Sequence, residues 1–327
     1  MTTERTCDLV LEGGGVKGIA LVGCATALDE AGWRFARIAG SSAGAIVGSV
    51  LAAMQQAGEP MSRVDEILRT LDYRQMLDRR RGGQALRWWP RAADAWGILF
   101  HLGMYRGHHL TQWLKGVLGE FGVRTFADFA FDDPGSSLEP HQSYRLVVTA
   151  SDLSRQRLLH LPWDLPQYGV APEHLRVARA VRASAGIPFM FEPVRLKGRH
   201  GTSTLADGSL LESYPIGVFD RTDGRPSRWP TIGVRLSSPA SERAPAKAVT
   251  GPISLVSSLI YTTVDSTQVR HLSEEDDVAR SVFVKPKGVR WTDFDLSHAQ
   301  QEGLFEAGYA AGRRWVEKHP DGPPVRA

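Results

Sequence analysis

Apolar positions along the chain fall into two alternating kinds of run. Short blocks such as CDLVLE (7–12) and FARIAG (35–40) are mostly apolar, the pattern of strands buried on both faces of a parallel sheet. After each comes a longer stretch with apolar residues three and four apart: residues 16–32, closing at Gly32, and SAGAIVGSVLAAMQQAG (42–58), closing at Gly58. That spacing predicts two helices with glycine stops. Strand, helix, strand, helix predicts that the two strands lie parallel. Further along, residues 144–150, 203–211 and 229–238 read as strands, residues 171–186, 253–272 and 298–319 as helices, and residues 59–142 as mostly helical. With no repeat and no linker in 327 residues, the pattern predicts a single α/β domain over 1–327, three layers α/β/α around a largely parallel central sheet.

Composition narrows the class. The chain is 42% apolar and 23% charged, with 39 basic against 36 acidic residues, a net +3. So slight an excess gives no ground for nucleic-acid binding. No apolar run reaches the ~20 residues that span a bilayer, and the first twenty residues lack a secretory pattern. The two cysteines, Cys7 and Cys24, form no disulfide framework, and a cytoplasmic location, peripheral to the membrane when acting, is the expectation.

The glycines of LEGGGVKGIALVG (11–23) place Gly13, Gly15 and Gly18 in the spacing G-x-G-x-x-G. A dinucleotide site would need an acidic residue at the end of the second strand to hold the ribose. That strand ends instead in GSSAG (40–44), and no Lys-Ser/Thr pair follows Gly18 to make a phosphate loop. Gly40-x-Ser42-x-Gly44 is the pattern of a nucleophile elbow, a serine on a tight strand-to-helix turn whose neighbours must be small. Both turns fall at the C-terminal ends of strands in one sheet, where α/β sheets place their ligands. The amides of Gly13, Gly14 and Gly15, with that of Ala43, then become candidate oxyanion donors for acyl transfer, and Lys17 adds positive potential.

A serine nucleophile needs a base. Ten histidines are present; only His298 follows a later strand where a triad histidine would sit, and a surface residue at a helix start is the plainer reading. Asp207, before Gly208 in LADGSLLESYP, is the better candidate, since Asp-Gly after a strand turns sharply and exposes the carboxylate.

These motifs together resemble the patatin-like phospholipase family. The stretch Gly13–Gly18, with Lys17 in its basic place, is similar to the family's oxyanion loop; Ser42 stands in its G-x-S-x-G; Asp207-Gly208 stands in its D-G-[GA]. RVARAVRASAGIPFMFEPV and LVVTASDL are similar to blocks that precede the aspartate, and the likeness spans residues 8 to 216. Ser209 and Ser213 depart from it, standing where Gly or Ala, and Asn, are usual. The resemblance implies a patatin-like fold, a Ser42–Asp207 dyad without histidine, and hydrolysis of fatty-acyl esters of the phospholipase A or lysophospholipase type. No metal-ligand cluster stands out in the sequence, so no metal and no cofactor are expected. An acyltransferase using the same acyl-serine, and a weakly catalytic lipid-binding regulatory module, are the competing functions.

Residues 79–106 carry six arginines against one acid, with Trp88, Trp89, Trp96 and Phe100. A basic, aromatic helical insert at about 75–110 is expected to cap the site, and Trp88, Trp89, Arg87 and Arg91 are its candidate contacts with an anionic lipid surface.

Overall fold

A computed structural model of the chain describes residues 5–78, 101–132, 139–221, 225–236 and 275–323, save positions 287 and 292, together with a few isolated positions. The expected helix at 253–272 and the candidate lipid contacts Arg87, Trp88, Trp89 and Arg91 lie outside the described residues.

The first half of the core follows the apolar pattern closely. Strand β1 (Arg5–Leu11) leads to helix α1 (Gly18–Glu30), and β2 (Trp33–Gly40) leads to α2 (Ala43–Gln56). A short helix α3 (Val64–Arg69), strand β3 (Gly103–Tyr105) and helix α4 (His108–Glu120) come next. The central strands are β4 (Leu146–Asp152) and β5 (Arg157–Leu161), before helix α5 (Val177–Ser184). Strands β6 (Phe189–Phe191), β7 (Val194–Gly198) and β8 (Gly201–Asp207) precede β9 (Thr231–Arg235), helix α6 (Glu275–Ala279), β10 (Ser281–Phe283) and helix α7 (His298–Lys318).

The main sheet runs β10-β9-β1-β2-β4-β8-β7, with β5 also paired to β4. Strands β10, β9, β1, β2 and β4 are mutually parallel, whereas β5, β8 and β7 join by antiparallel pairing. The fold is therefore three-layer α/β/α around a mostly parallel sheet. Buried strands explain the continuous apolar runs: every residue of β4 and β9, and Cys7–Leu11 of β1, is buried. Inside this core, Arg37 on β2 grips Asp8 on β1 through two hydrogen bonds, 2.9 and 2.5 Å long. Breaking such a pair would strand a buried charge.

Several elements differ from the periodicity. The helix read at 171–186 is confined to Val177–Ser184, because Pro172 opens a separate 3-10 turn and Arg176 bridges to Thr125. The strand read at 203–211 ends at Asp207, where residues 208–210 turn. Strands β5, β7 and β10 have no counterpart in the reading, nor do β3, in a stretch read as mostly helical, and β6, which pair as a separate two-stranded sheet.

Helix α1 lies beneath α7, and the two approach through small residues. A Cβ at Gly308 would fall 1.8 Å from the Ala20 carbonyl oxygen, and one at Gly23 would fall 2.1 Å from that of Phe305. Backbone cannot yield as a side chain can, so Gly308→Ala must push the helices apart. The expected cost is about 2–3 kcal/mol, read as a lower midpoint in urea with an unchanged slope.

Candidate active site

Three turns converge at one end of the sheet. After β1 the chain runs Glu12-Gly13-Gly14 into a 3-10 turn at Gly15–Lys17 and then into α1. After β2 it turns through Ser41 and Ser42 into α2. Asp207 arrives by a different route. Gly40 pairs with Val148 on β4, and Ala150 on the same strand pairs with Asp207. Because β8 runs antiparallel to β4, its last residue returns to the level at which β2 ends.

Ser42 has φ 50° and ψ −115°, a backbone conformation that costs a non-glycine residue of order 1–3 kcal/mol and survives only where its surroundings enforce it. Those surroundings are visible. A Cβ at Gly40 would meet the Gly44 carbonyl carbon at 2.4 Å, and one at Gly44 would meet the Leu11 oxygen at 2.2 Å. The Ser41 hydroxyl, buried beside Ser42, bonds to Thr149 Oγ1 at 2.5 Å and donates to the Glu212 carbonyl at 2.6 Å. The Ser42 N–H donates to Ser184 Oγ on α5 at 3.0 Å.

Ser42 Oγ donates to Asp207 Oδ2 at 2.8 Å, and both side chains are buried. The other carboxylate oxygen accepts the Ser209 N–H at 2.9 Å. The Asp207 backbone is held on both sides: its N–H donates to Gly186 and its carbonyl accepts from Ser151 Oγ. Burial pushes the Asp207 carboxyl from 3.8 up to about 6, against the opposing pull of the Ser209 N–H, the Ser42 hydroxyl and the Arg182 charge. A carboxylate so placed has the proton affinity of a general base near neutral pH.

The glycine loop faces this pair. Gly13 is where expectation and structure part: its N–H donates to the Ser213 carbonyl at 2.9 Å, so that amide is already engaged. The need for glycine there is close approach, since a Cβ would lie 2.2 Å from Ser209 Oγ and 3.3 Å from Ser42 Cβ. Of the two departures, Ser209 sets its Oγ beside Gly13, while Ser213 contributes only a backbone carbonyl that any residue would offer, and its side chain has no structural explanation. Among the described residues, the amides of Gly14, Gly15 and Ala43 carry no such bond. Neighbours from late in the chain hold the loop: the Val16 N–H donates to Trp291 O at 3.1 Å, Leu236 packs over Gly14, and the Leu236 N–H donates to Glu12. Lys17 is half-buried at the start of α1, and burial lowers its ammonium while Glu12 and Asp293 oppose the shift. Gly18 lets α1 approach α2, its Cβ position lying 3.1 Å from that of Ala43. Gly208 presses against Thr149, whose Oγ1 would stand 2.0 Å from a Cβ there.

His298 is an exposed residue opening α7, and among the described residues no histidine bonds to Ser42 or Asp207. Nor is any group of three or more His, Cys, Asp or Glu side chains placed to hold a metal ion, again among the described residues. In the same set, no helix is long and apolar enough to cross a membrane. The residues that sequence reasoning misses are Ser184, Gly186 and Ser151. Their signals are the blocks RVARAVRASAG, which contains Ser184 and Gly186, and LVVTASDL, which contains Ser151.

Known proteins bear on this arrangement. A family model described as patatin-like phospholipase matches residues 9–220, more than half of the chain. The uncharacterized protein YqhO of Bacillus subtilis is 35% identical over 302 residues, which are 92% of this chain and 94% of that protein. The lysophospholipase nte1 of Emericella nidulans is 21% identical over 330 residues, 96% of this chain but 18% of that much longer protein. Among solved structures, VipD from Legionella pneumophila matches in fold with a TM-score of 0.52 and 17% identity, covering 97% of this chain and 67% of that one.

Proposed function

Since the chain belongs to the patatin-like phospholipase family, we propose that it is a serine-dependent lipid acyl hydrolase of the phospholipase A or lysophospholipase type, with Ser42 as nucleophile and Asp207 as its base. The observation that carries this reading is the 2.8 Å hydrogen bond from Ser42 Oγ to a buried carboxylate. In the first step Ser42 Oγ attacks the ester carbonyl carbon while its proton passes to Asp207. The amides of Gly14, Gly15 and Ala43 face the developing oxyanion; one such donor is worth about 10²–10³ in rate. Asp207 then protonates the departing alcohol, leaving an acyl-Ser42. In the second step Asp207 takes a proton from water, which attacks the acyl carbon and releases the fatty acid as the proton returns to Ser42. The enzyme works on lipid at a membrane surface as a peripheral protein, with no cofactor.

The test is covalent. A fluorophosphonate is expected to label the protein once, with the mass increase on the peptide carrying Ser42, and to stop fatty-acid release from mixed phospholipid vesicles. Ser42→Ala should neither label nor release acid. Labelling elsewhere, or undiminished release by Ser42→Ala, overturns the assignment.

A further inference from the structure

Away from the Ser42–Asp207 pair, the start of α4, helix α5 and the β6–β7 turn line an open cleft of about 290 Å³. Its walls carry Arg106, Arg179, Arg182 and Arg195, with His108, against the single carboxylate of Glu192. Neither Arg106 nor Arg195 has a carboxylate partner among the described residues, and both are exposed. Asp78 lies nearby but is committed: it accepts the N–H groups of Gly107, His108 and His109 at the start of α4. Arg179 spends an N–H on the Arg195 carbonyl and Arg182 is held by backbone. The exposed guanidinium groups of Arg106 and Arg195 are therefore the ones that can offer paired N–H donors to a phosphoryl group in this concave, half-open space.

Arg182 joins this cleft to the site. It is 4% exposed, and its Nε and Nη2 donate to the carbonyls of Gly107, Arg106 and Glu192. Its Nη1 is buried without a hydrogen-bond partner among the described residues and lies on the side of Gly186. Burial lowers this guanidinium to about 10, with Asp78, Glu192 and Asp207 opposing. Two residues further along the same helix, Ser184 holds the Ser42 N–H, and just beyond its end Gly186 holds the Asp207 N–H. The helix that walls the cleft thus positions both members of the pair.

We propose that this cleft is an effector site for a phosphoryl anion, and that its occupant acts on ester turnover through α5; the second half rests on the Ser42–Asp207 reading. The shared chemistry is a phosphate monoester or diphosphate, offered by a free anion or by a lipid headgroup.

The full chain and the double variant Arg106→Gln/Arg195→Gln, both distant in sequence from Ser42 and Asp207 and both exposed, would be titrated calorimetrically with inorganic pyrophosphate at low salt. Turnover of a soluble p-nitrophenyl ester would be followed in parallel. The wild type is expected to bind one equivalent, and the double variant to bind about tenfold more weakly. Bound pyrophosphate should change wild-type turnover severalfold and leave that of the variant near its unliganded value. Co-sedimentation with phosphatidylcholine vesicles, with or without phosphatidic acid, separates the sources: vesicle binding that free pyrophosphate cannot displace means that a lipid headgroup is not held in this cleft. Equal binding by wild type and variant, or no binding of either pyrophosphate or phosphatidic acid vesicles, overturns the site. Binding without any change in turnover overturns the coupling. Absence of all esterase activity in a protein that still binds counts against the Ser42–Asp207 reading instead.

Discussion

Asp207→Asn is expected to lower turnover of a soluble ester by about 10⁴-fold while leaving the protein folded. The substitution is nearly isosteric and splits the two duties of the side chain. Asn Oδ1 still accepts the Ser209 N–H, which the carboxylate holds at 2.9 Å, so the turn after β8 keeps its anchor. The other position becomes an amide N–H₂ facing Ser42 Oγ, a donor where the hydroxyl proton must be received. Circular dichroism and a thermal melt beside the kinetics would separate this from unfolding. A residual rate within tenfold of wild type would mean that Asp207 is not the base. His298→Ala is the companion control: that side chain is exposed at the head of α7, and its removal should leave the rate unchanged.

The second large effect is a pair of opposite pH dependences from the same carboxyl. As a base Asp207 must be ionised, so kcat/KM should climb with a slope of one up to about pH 6, where burial places the group, and level off above. At pH 4 activity should be about a hundredfold below the plateau. Stability runs the other way. The folded carboxyl titrates at about 6 and the ordinary one at 3.8, so between those values the folded chain keeps a proton that the unfolded chain has released. Its contribution is full below about pH 4 and is lost as pH rises through 6, with an upper limit of about 3 kcal/mol. Asp207→Asn, which cannot ionise, should therefore melt above wild type at pH 8 and level with it at pH 4. Comparing the two proteins cancels every other titrating group. Equal melting at both pH values would show that the carboxyl titrates near its ordinary value.

The parallel strands β1 and β2 and the elbow at Ser42 are legible because their causes are local, whereas Asp207, 165 positions further on, is legible only as an Asp-Gly turn and through the family resemblance. Glycines at 40 and 44 are imposed by contacts within the elbow and with the strand beside it, and such contacts leave a short, fixed spacing in the sequence. The rest depends on where distant backbone arrives. Nothing near Gly13 foretells that the Ser213 carbonyl will claim its N–H, 200 positions away in sequence. Ser184 reads as one more small residue closing a helix until α5 is laid against the elbow. Strands β5 and β7 escape notice for a compositional reason. Arg157 and His160 interrupt the one, Arg195 and Lys197 the other, and β7 ends the sheet, where charges guard an unpaired edge. The antiparallel arrival of β8 was likewise hidden, since a buried strand has the same apolar look in either direction.

The glycine loop has a consequence for modularity. The family match stops at residue 220, yet the loop that follows β1 is pinned by Leu236 and Trp291, and the helix it opens lies against α7. A boundary drawn at residue 220 would separate the glycine loop from the residues that hold it. Chimeras between relatives should accordingly tolerate crossovers poorly between residues 12–16 and their C-terminal supports, unless both sides come from one parent. For the same reason, substitutions near 236 or 291 can shift the backbone of the glycine loop without touching a single motif residue.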